Sequence, residues 1–497
     1  MLLFACYLRM SLTVPPTSDG AANALQAWDM LHGNLLLHGL ALSDVSFYTT
    51  ELPGYALMEL TRGLDAQVVN IAGALTYTLL VLSAALLAKG KATGAEGWLR
   101  MFLAAGIMLS PQLISGVSVL MLQPDHVGTT VPVLVTWLVI DRAGRRPWVP
   151  VVAGLMLGWA LAADAIVLYI GIAPLLLVSS MRAYQEIVQR RRGLRAAWYE
   201  LCLIAGALVA LAIGLAAPQL VHWLGGYHVA PAPHAFSDGT HLASSVWFTL
   251  HGLLLLFGAN FYRLNYSFAT GLVLLHLAGL GLAIWAFCSG LRRFARTGDT
   301  IVQLLVAGTI IIIAAYLFGP QATSLATTRE IAAALPFGAV LAGRLLAGRL
   351  LSARLVPALA LVMVGYVLTL ASNLVPGPAA VANGELSNWL AGHGYRYGLG
   401  NYWLANSVTV ASGNQVRIRA VTTGRSHMVP YHWESQSSWY DPTRHTASFV
   451  ALTSVPRTNE NDAWLGQVAR TFGRPARIYH VGKYVVLVWN YNLLTRL

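Results

Sequence analysis

The chain has 497 residues, 56% of them hydrophobic and only 10% charged, with a mean hydropathy of +0.60 and a formal net charge of +12. A soluble domain carries about 25% charged residues, so these figures exclude an ordinary water-soluble protein. Apolar runs such as Val68–Ala88, Ile301–Phe318 and Leu355–Ala371 approach the ~20 residues needed to cross a hydrocarbon core, and such runs recur up to residue 375.

In chain order, the first apolar segment ends near Leu12. It lacks the basic n-region and the A-x-A site of a signal peptide, so it reads as a short first span. A long loop, 13–67, follows. Further spans are expected near 68–88, 100–122, 127–141, 148–163, 165–181, 199–217, 268–288, 301–318, 331–350 and 355–374, which makes about eleven. In the membrane region 17 Lys/Arg fall in the short loops Lys89–Arg100, Arg142–Arg146, Arg182–Arg195, Arg292–Arg296 and Arg344–Arg354, while the intervening loops hold only Arg62, Arg263 and Arg329. That alternation places the basic loops in the cytoplasm. It also disposes of nucleic acid as a partner, since the clusters are short and separated by spans.

Both ends of the stretch Arg146–Arg182 are then inside, so the apolar residues between them must form a hairpin. Arms of about 16 residues reach roughly 24 Å at 1.5 Å per residue, short of the ~30 Å core. The turn at Ala162–Asp164 is therefore expected to sink below the outer surface. In the second outer loop, 219–267, the apolar stretch His241–Phe257 reads as a helix lying in the interface. Histidines 222, 228, 234 and 241 are too evenly spread for a compact zinc site. From 376 to 497 the runs shorten: strands are expected at Ser407–Ala411, Gln415–Val421, Ala447–Leu452 and Ala476–Trp489, and helices at Gly384–Ala391 and Asn461–Phe472. The sequence thus predicts an α-helical polytopic membrane protein, domain 1–375, with a small extracytoplasmic α+β domain, 376–497.

Ordinary catalytic motifs are absent: there is no HExxH, no GxSxG and no P-loop. Cys6, Cys202 and Cys288 sit in or beside apolar segments and form no metal or disulfide pattern. The candidates are charged groups at outer span ends, where ionisable residues are costly. Asp19 follows the first span, and its structural alternative is an N-cap for a helix Ala21–His32. Asp125 and His126 occupy the turn between the third and fourth spans, where Asp125 could equally cap a helix. Asp164 lies in the sunken hairpin turn. Arg329 and Glu330 open a late span, where they could simply pair with each other.

These pieces resemble the GT-C superfamily of polytopic glycosyltransferases. The likeness rests on Ser18-Asp19-Gly20 after the first span, then Trp28-Asp29-Met30-Leu31-His32-Gly33-Asn34, then Glu51-Leu52-Pro53-Gly54-Tyr55, on Arg329-Glu330 leading to Leu335-Pro336-Phe337, and on Tyr397-Gly398-Leu399-Gly400-Asn401-Tyr402-Trp403 at the start of the tail. The resemblance implies an inverting enzyme that takes a sugar from a polyprenyl-phosphate donor, outside a bacterial plasma membrane, to a glycan, lipid or protein acceptor. It implies Asp19 as general base, Arg329 on the donor phosphate, and Asp125, His126, Asp164, Asp29 and Glu51 lining the substrate cavity. A divalent cation is compatible with the family, yet Gly20 replaces the second acidic or tyrosine residue beside Asp19. The rival readings are a transporter or flippase with an acidic relay, and an inactive scaffold with this fold.

Single-cysteine labelling in a cysteine-free background checks the topology. Positions in 123–129, 162–164 and beyond 376 should label in intact cells, and positions in 142–146 and 182–195 only after permeabilisation.

Overall fold

The computed structural model describes residues 1–111, 126–231, 241–262, 267–453 and 459–497, with 236, 237, 239, 264 and 265 between them. Helix α1 (Leu2–Ser11) leads to α2 (Ser18–Leu31), strand β1 (Leu40–Leu42) and α3 (Leu52–Arg62). Then come α4 (Gln67–Lys89), α5 (Gly94–Ile107), α6 (Val127–Ala143), α7 (Trp148–Leu161), a π-turn Leu168–Ile172 running into α8 (Ala173–Tyr184), and α9 (Trp198–Trp223). After β2 (His228–Val229) follow α10 (Leu242–Leu256), α11 (Phe268–Arg292), α12 (Thr300–Phe318), α13 (Ala334–Ser352) and α14 (Val356–Leu374). Among the described residues six helices are long and apolar enough to cross a membrane: α4, α9, α11 from Thr270, α12, α13 and α14.

The expected hairpin is present and short. Arm α7 has 14 residues, about 21 Å of helix. Its turn is roofed by the first outer loop: the backbone N–H groups of Ser46 and Phe47 both donate to the Ala163 carbonyl, at 3.1 and 3.2 Å. Trp159 Nε1 donates to the Thr49 carbonyl at 2.8 Å. Protein backbone satisfies there what water would satisfy at a full-height turn. Helices α7 and α9 cross on small residues, because a Cβ on Gly154 would lie 2.7 Å from the Gly206 carbonyl oxygen. Close backbone approach of this kind is the usual basis of helix association where no hydrophobic effect drives it.

The basic loops meet at one end of the bundle. Arg344 Nη2 lies 2.9 Å from Asp141 and its Nε 3.0 Å from Asp299, while Nη1 donates to the Leu87 carbonyl at 2.8 Å. Asp299 also caps α12 by accepting from the Ile301 and Val302 N–H groups. Nearby, Arg145 and Arg182 both face Glu200. Removing Arg344 would strand two carboxylates, one of them, Asp141, only about a tenth exposed, which is why this network reads as a structural lock.

Beyond the bundle the tail forms α15 (Gly384–Gly392), β3 (Tyr397–Gly400), α16 (Tyr402–Ala411), β4 (Arg417–Thr423), β5 (Met428–Pro430), β6 (Ser435–Gln436), β7 (Phe449–Thr453), α17 (Asn459–Phe472), β8 (Arg477–Val481) and β9 (Tyr484–Val488). Six strands make one sheet in the order β5-β4-β3-β7-β9-β8. Strand β3 runs parallel to both β4 and β7, and the other pairs are antiparallel. The segment Ser407–Ala411, expected as a strand, is the end of helix α16. Its alternating β-branched residues mimic a strand, but Leu404–Val410 are buried continuously between β4 and α2, and Asn401 caps the helix by accepting from the Leu404 N–H. The Asn cap was the signal that outweighed the alternation.

A second, three-stranded sheet joins distant parts of the chain. Strand β1 of the first outer loop pairs in parallel with β2 of the second and antiparallel with β6 of the tail.

One polar group sits badly in this framework. Glu59 on α3 is buried, and among the described residues neither carboxylate oxygen has a hydrogen-bond partner. Burial pushes its carboxyl up to about 9, so the folded state holds a proton that the unfolded state releases near the ordinary value. Stability is therefore lost as pH rises from about 4.5 towards 9, by at most roughly 1.4 kcal/mol per unit. Glu59→Gln should raise the melting temperature, and the gap over the wild type should widen between pH 5 and pH 9.

Candidate active site

Asp19 does not cap its helix. Helix α2 starts at Ser18, and the cap is Thr17, whose side chain accepts from the Gly20 N–H at 3.1 Å. The Asp19 carboxylate is thereby free to face the other end of the bundle from the Arg344 lock. There Arg329 Nη1 lies 3.3 Å from Asp19 Oδ2, across 310 residues of chain. Arg329 is carried by a 3₁₀ turn, Leu325–Ile331, just ahead of α13.

The second oxygen of Asp19 accepts from the tail. Tyr402 Oη donates to Asp19 Oδ1 at 2.7 Å, and also contacts Glu434. A phenol carries one proton, so it can serve only one carboxylate at a time. Burial, together with the Glu434 and Asp19 carboxylates, pushes the Tyr402 hydroxyl far above its usual value, which keeps it a donor. Tyr402 opens α16 directly after β3, at the carboxyl end of a strand with parallel neighbours, where open α/β sheets commonly place binding residues. Glu434 holds a left-handed backbone, φ 49°, which a non-glycine residue adopts only at a cost.

A second row of charge runs behind the first. His126 Nδ1 lies 2.8 Å from Asp164 Oδ2, and His126 Nε2 lies 3.4 Å from Glu330. Burial pulls the imidazole down, but Glu330 and Asp164 on its two sides outweigh this and hold it up at about 10. Burial likewise pushes Asp164 up, yet the imidazolium, through its charge and its hydrogen bond, brings it below the usual carboxylate range. For Glu330 burial prevails, and its carboxyl is raised. His126 thus stands between two carboxylates, Asp164 in hydrogen-bond contact and Glu330 at longer range. His126 and Arg329 line one narrow cleft together with Asp19, Asp44, Phe47 and Glu434.

Four of the residues singled out from sequence, Asp19, His126, Asp164 and Arg329, are therefore joined through direct contacts and the neighbouring Glu330. Asp125 lies outside the described residues. Glu51 is buried and does different work: its Oε1 accepts from the Thr129 N–H at 3.2 Å, giving α6 the N-terminal partner that His126, in a left-handed conformation, does not supply. Asp29 bonds to Asn34 and faces a separate cavity on the tail side of α2. Sequence reasoning missed Glu434 and Asp44. Tyr402 was quoted in the tail motif without a role, and its place just after an Asn cap was the available clue.

Among the described residues no group of three His, Cys, Asp or Glu side chains has the arrangement of a metal site. The Asp19 carboxylate is met, among the described residues, by a guanidinium and a phenol.

No family model matches the chain, and no curated protein matches it in sequence. In structure it is similar to ArnT from Cupriavidus metallidurans bound to undecaprenyl phosphate, at 13% identity and a TM-score of 0.57, over 98% of this chain and 97% of that one. It is also similar to the Archaeoglobus fulgidus oligosaccharyltransferase tethered with an acceptor peptide, at 14% identity and a TM-score of 0.50, over 99% of this chain and 74% of that one. Both neighbours are GT-C proteins, and the chain has the GT-C fold.

The buried couple makes a stability prediction. Its contribution is full between the unfolded carboxylate range and about pH 6.5, and is lost progressively as pH rises from there to about 10, where His126 gives up its proton. Asp164→Ala leaves a buried cation against Glu330 alone and should cost about 3–5 kcal/mol at neutral pH, read as a fall in the thermal unfolding midpoint.

Proposed function

We propose that the chain is an inverting glycosyltransferase that moves a sugar from a polyprenyl-phosphate donor to an extracytoplasmic acceptor: a glycan, a lipid or a protein. The observation that carries this reading is the Asp19–Arg329 contact at 3.3 Å, a carboxylate and a phosphate-binding cation at the same end of a GT-C bundle. In this reading about eleven spans cross a bacterial plasma membrane, with the tail outside.

A lipid-linked donor brings its phosphate to headgroup level. Arg329, always protonated and able to grip phosphate through two N–H groups, exchanges Asp19 for that phosphate. Asp19 is then released to act as general base. It takes the proton of the acceptor hydroxyl, whose oxygen forms a bond to the anomeric carbon. The bond from that carbon to the phosphate oxygen breaks on the opposite face, and polyprenyl phosphate leaves with the electron pair. Arg329 stabilises the charge that develops on it. Tyr402 orients the base, while His126 and Asp164 hold Glu330 and hence the turn that carries Arg329. Asp125, Asp29 and Glu51 keep supporting roles towards substrate or helix position.

A transporter with an acidic relay fits less well. A guanidinium against Asp19 opposes the passage of a cation, and a carrier has no need of a tail side chain in contact with its relay carboxylate.

The test is sugar transfer from a polyprenyl-phosphate donor to a cell-envelope fraction. Since Thr17 provides the cap, Asp19→Asn should fold normally and lose about 10²- to 10⁴-fold in rate. Arg329→Lys should weaken donor use more than acceptor use. An Asp19→Asn variant as active as the wild type would overturn the assignment of the base.

A further inference from the structure

Between α2 and the tail lies a cavity of about 170 Å³ that the chemistry above does not use. It opens at Ala22, one helical turn past Asp19, runs along Gln26 and Asp29, and is closed on the tail side by Asn406, Arg419 and Trp439. Glu434 borders both this cavity and the cleft at Asp19, so the two spaces adjoin.

Its most telling residue is Arg419. The side chain is about nine-tenths buried, at 7% exposure, with its guanidinium 3.8 Å from the Trp439 ring centre and 5.7 Å from that of Tyr397. Among the described residues no carboxylate lies within ion-pair distance of it, and its buried Nε has no hydrogen-bond partner. A buried cation without a counter-charge is costly, and here it lines a space large enough for a ligand. Arg417 stands at the rim of the same space, its Nε donating to the neutral Asn414. The rest of the lining is of a kind that recognises hydroxyl groups and ring faces: the buried amides of Gln26 and Asn406, the Asp29 carboxylate, and the indole of Trp28.

We infer that this cavity is the acceptor subsite and that it takes a saccharide unit bearing a negative charge, carboxylate or phosphate, with the anion on Arg419 and the sugar hydroxyls on Gln26, Asn406 and Asp29. The inference rests on the glycosyltransferase reading for the word acceptor, but the binding chemistry does not. A unit seated there presents a hydroxyl towards Asp19 past Glu434, one helical turn away.

The experiment uses the purified full chain in detergent, with D-glucuronic acid and glucose 6-phosphate as probes and glucose as the neutral control, followed by calorimetric titration. Either anionic sugar should bind at least about tenfold tighter than glucose, and the tighter of the two names the source of the charge. Asp19→Asn should keep that preference. Arg419→Gln should abolish it, and Arg417→Gln, at an exposed position, should reduce it several-fold. Equal binding of glucose and both anionic sugars overturns the proposal. So does a preference that survives in a folded Arg419→Gln variant, or an acidic dipeptide that binds better than either sugar. The preference without transfer from any lipid-linked donor leaves the subsite standing and sinks the glycosyltransferase reading, whereas transfer without the preference does the reverse.

Discussion

The desolvation of charge governs this molecule from end to end. An ion buried away from water must find a partner of opposite sign or lose its charge, and the chain resolves that constraint differently at its two poles. At the Arg344 end the guanidinium is consumed: Asp141, Asp299 and the Leu87 carbonyl take its donors and leave little capacity for a ligand. At the Asp19 end the pairing is looser. Arg329 stands 3.3 Å from Asp19, farther than Arg344 from its carboxylates, and both side chains are about a quarter to a third open to solvent. A tight network fixes helix ends, while a loose one can exchange partners. The difference in geometry is what separates a lock from the candidate site.

That candidate site is assembled from parts that do not fold together locally. Asp19 comes from the first outer loop, His126 and Asp164 from the short turns of the bundle, Arg329 from a 3₁₀ turn late in the chain, and Tyr402 and Glu434 from the tail. The framework that aligns them is mostly backbone: the Ala163 carbonyl holding Ser46 and Phe47, the Thr17 cap that releases Asp19, and the Glu51 carboxylate at the start of α6. The charged side chains gathered there are few, and the groups that position them are many.

The sequence made the membrane-spanning character and the hairpin legible because hydrophobic length and basic-loop alternation are one-dimensional signals. Asp19, Arg329, His126 and Asp164 were legible for a related reason, since charge beside an apolar run stands out. Their mutual contacts were not, because they are set by helix packing that no local pattern encodes. Glu434 illustrates the limit: it sits in a polar loop among other polar residues, and only the pairing of β6 with β1 carries it to Asp19. The helix mistaken for a strand at Ser407–Ala411 shows the converse, a clear local alternation overruled by burial on both faces.

The small sheet β2-β1-β6 bears on how the protein comes into being. Synthesis runs from the N-terminus, so β1 and β2 exist long before β6, which arrives near residue 435. Until then β1 presents one unpaired edge, and such an edge invites pairing with another chain. A nascent or truncated polypeptide lacking the tail would therefore expose both an open strand and an Asp19 without its phenolic donor. Closure of that edge by Ser435 and Gln436 carries the adjacent Glu434 towards Tyr402 and the Asp19 cleft, so pairing of the tail with the first long loop and completion of the candidate site go together.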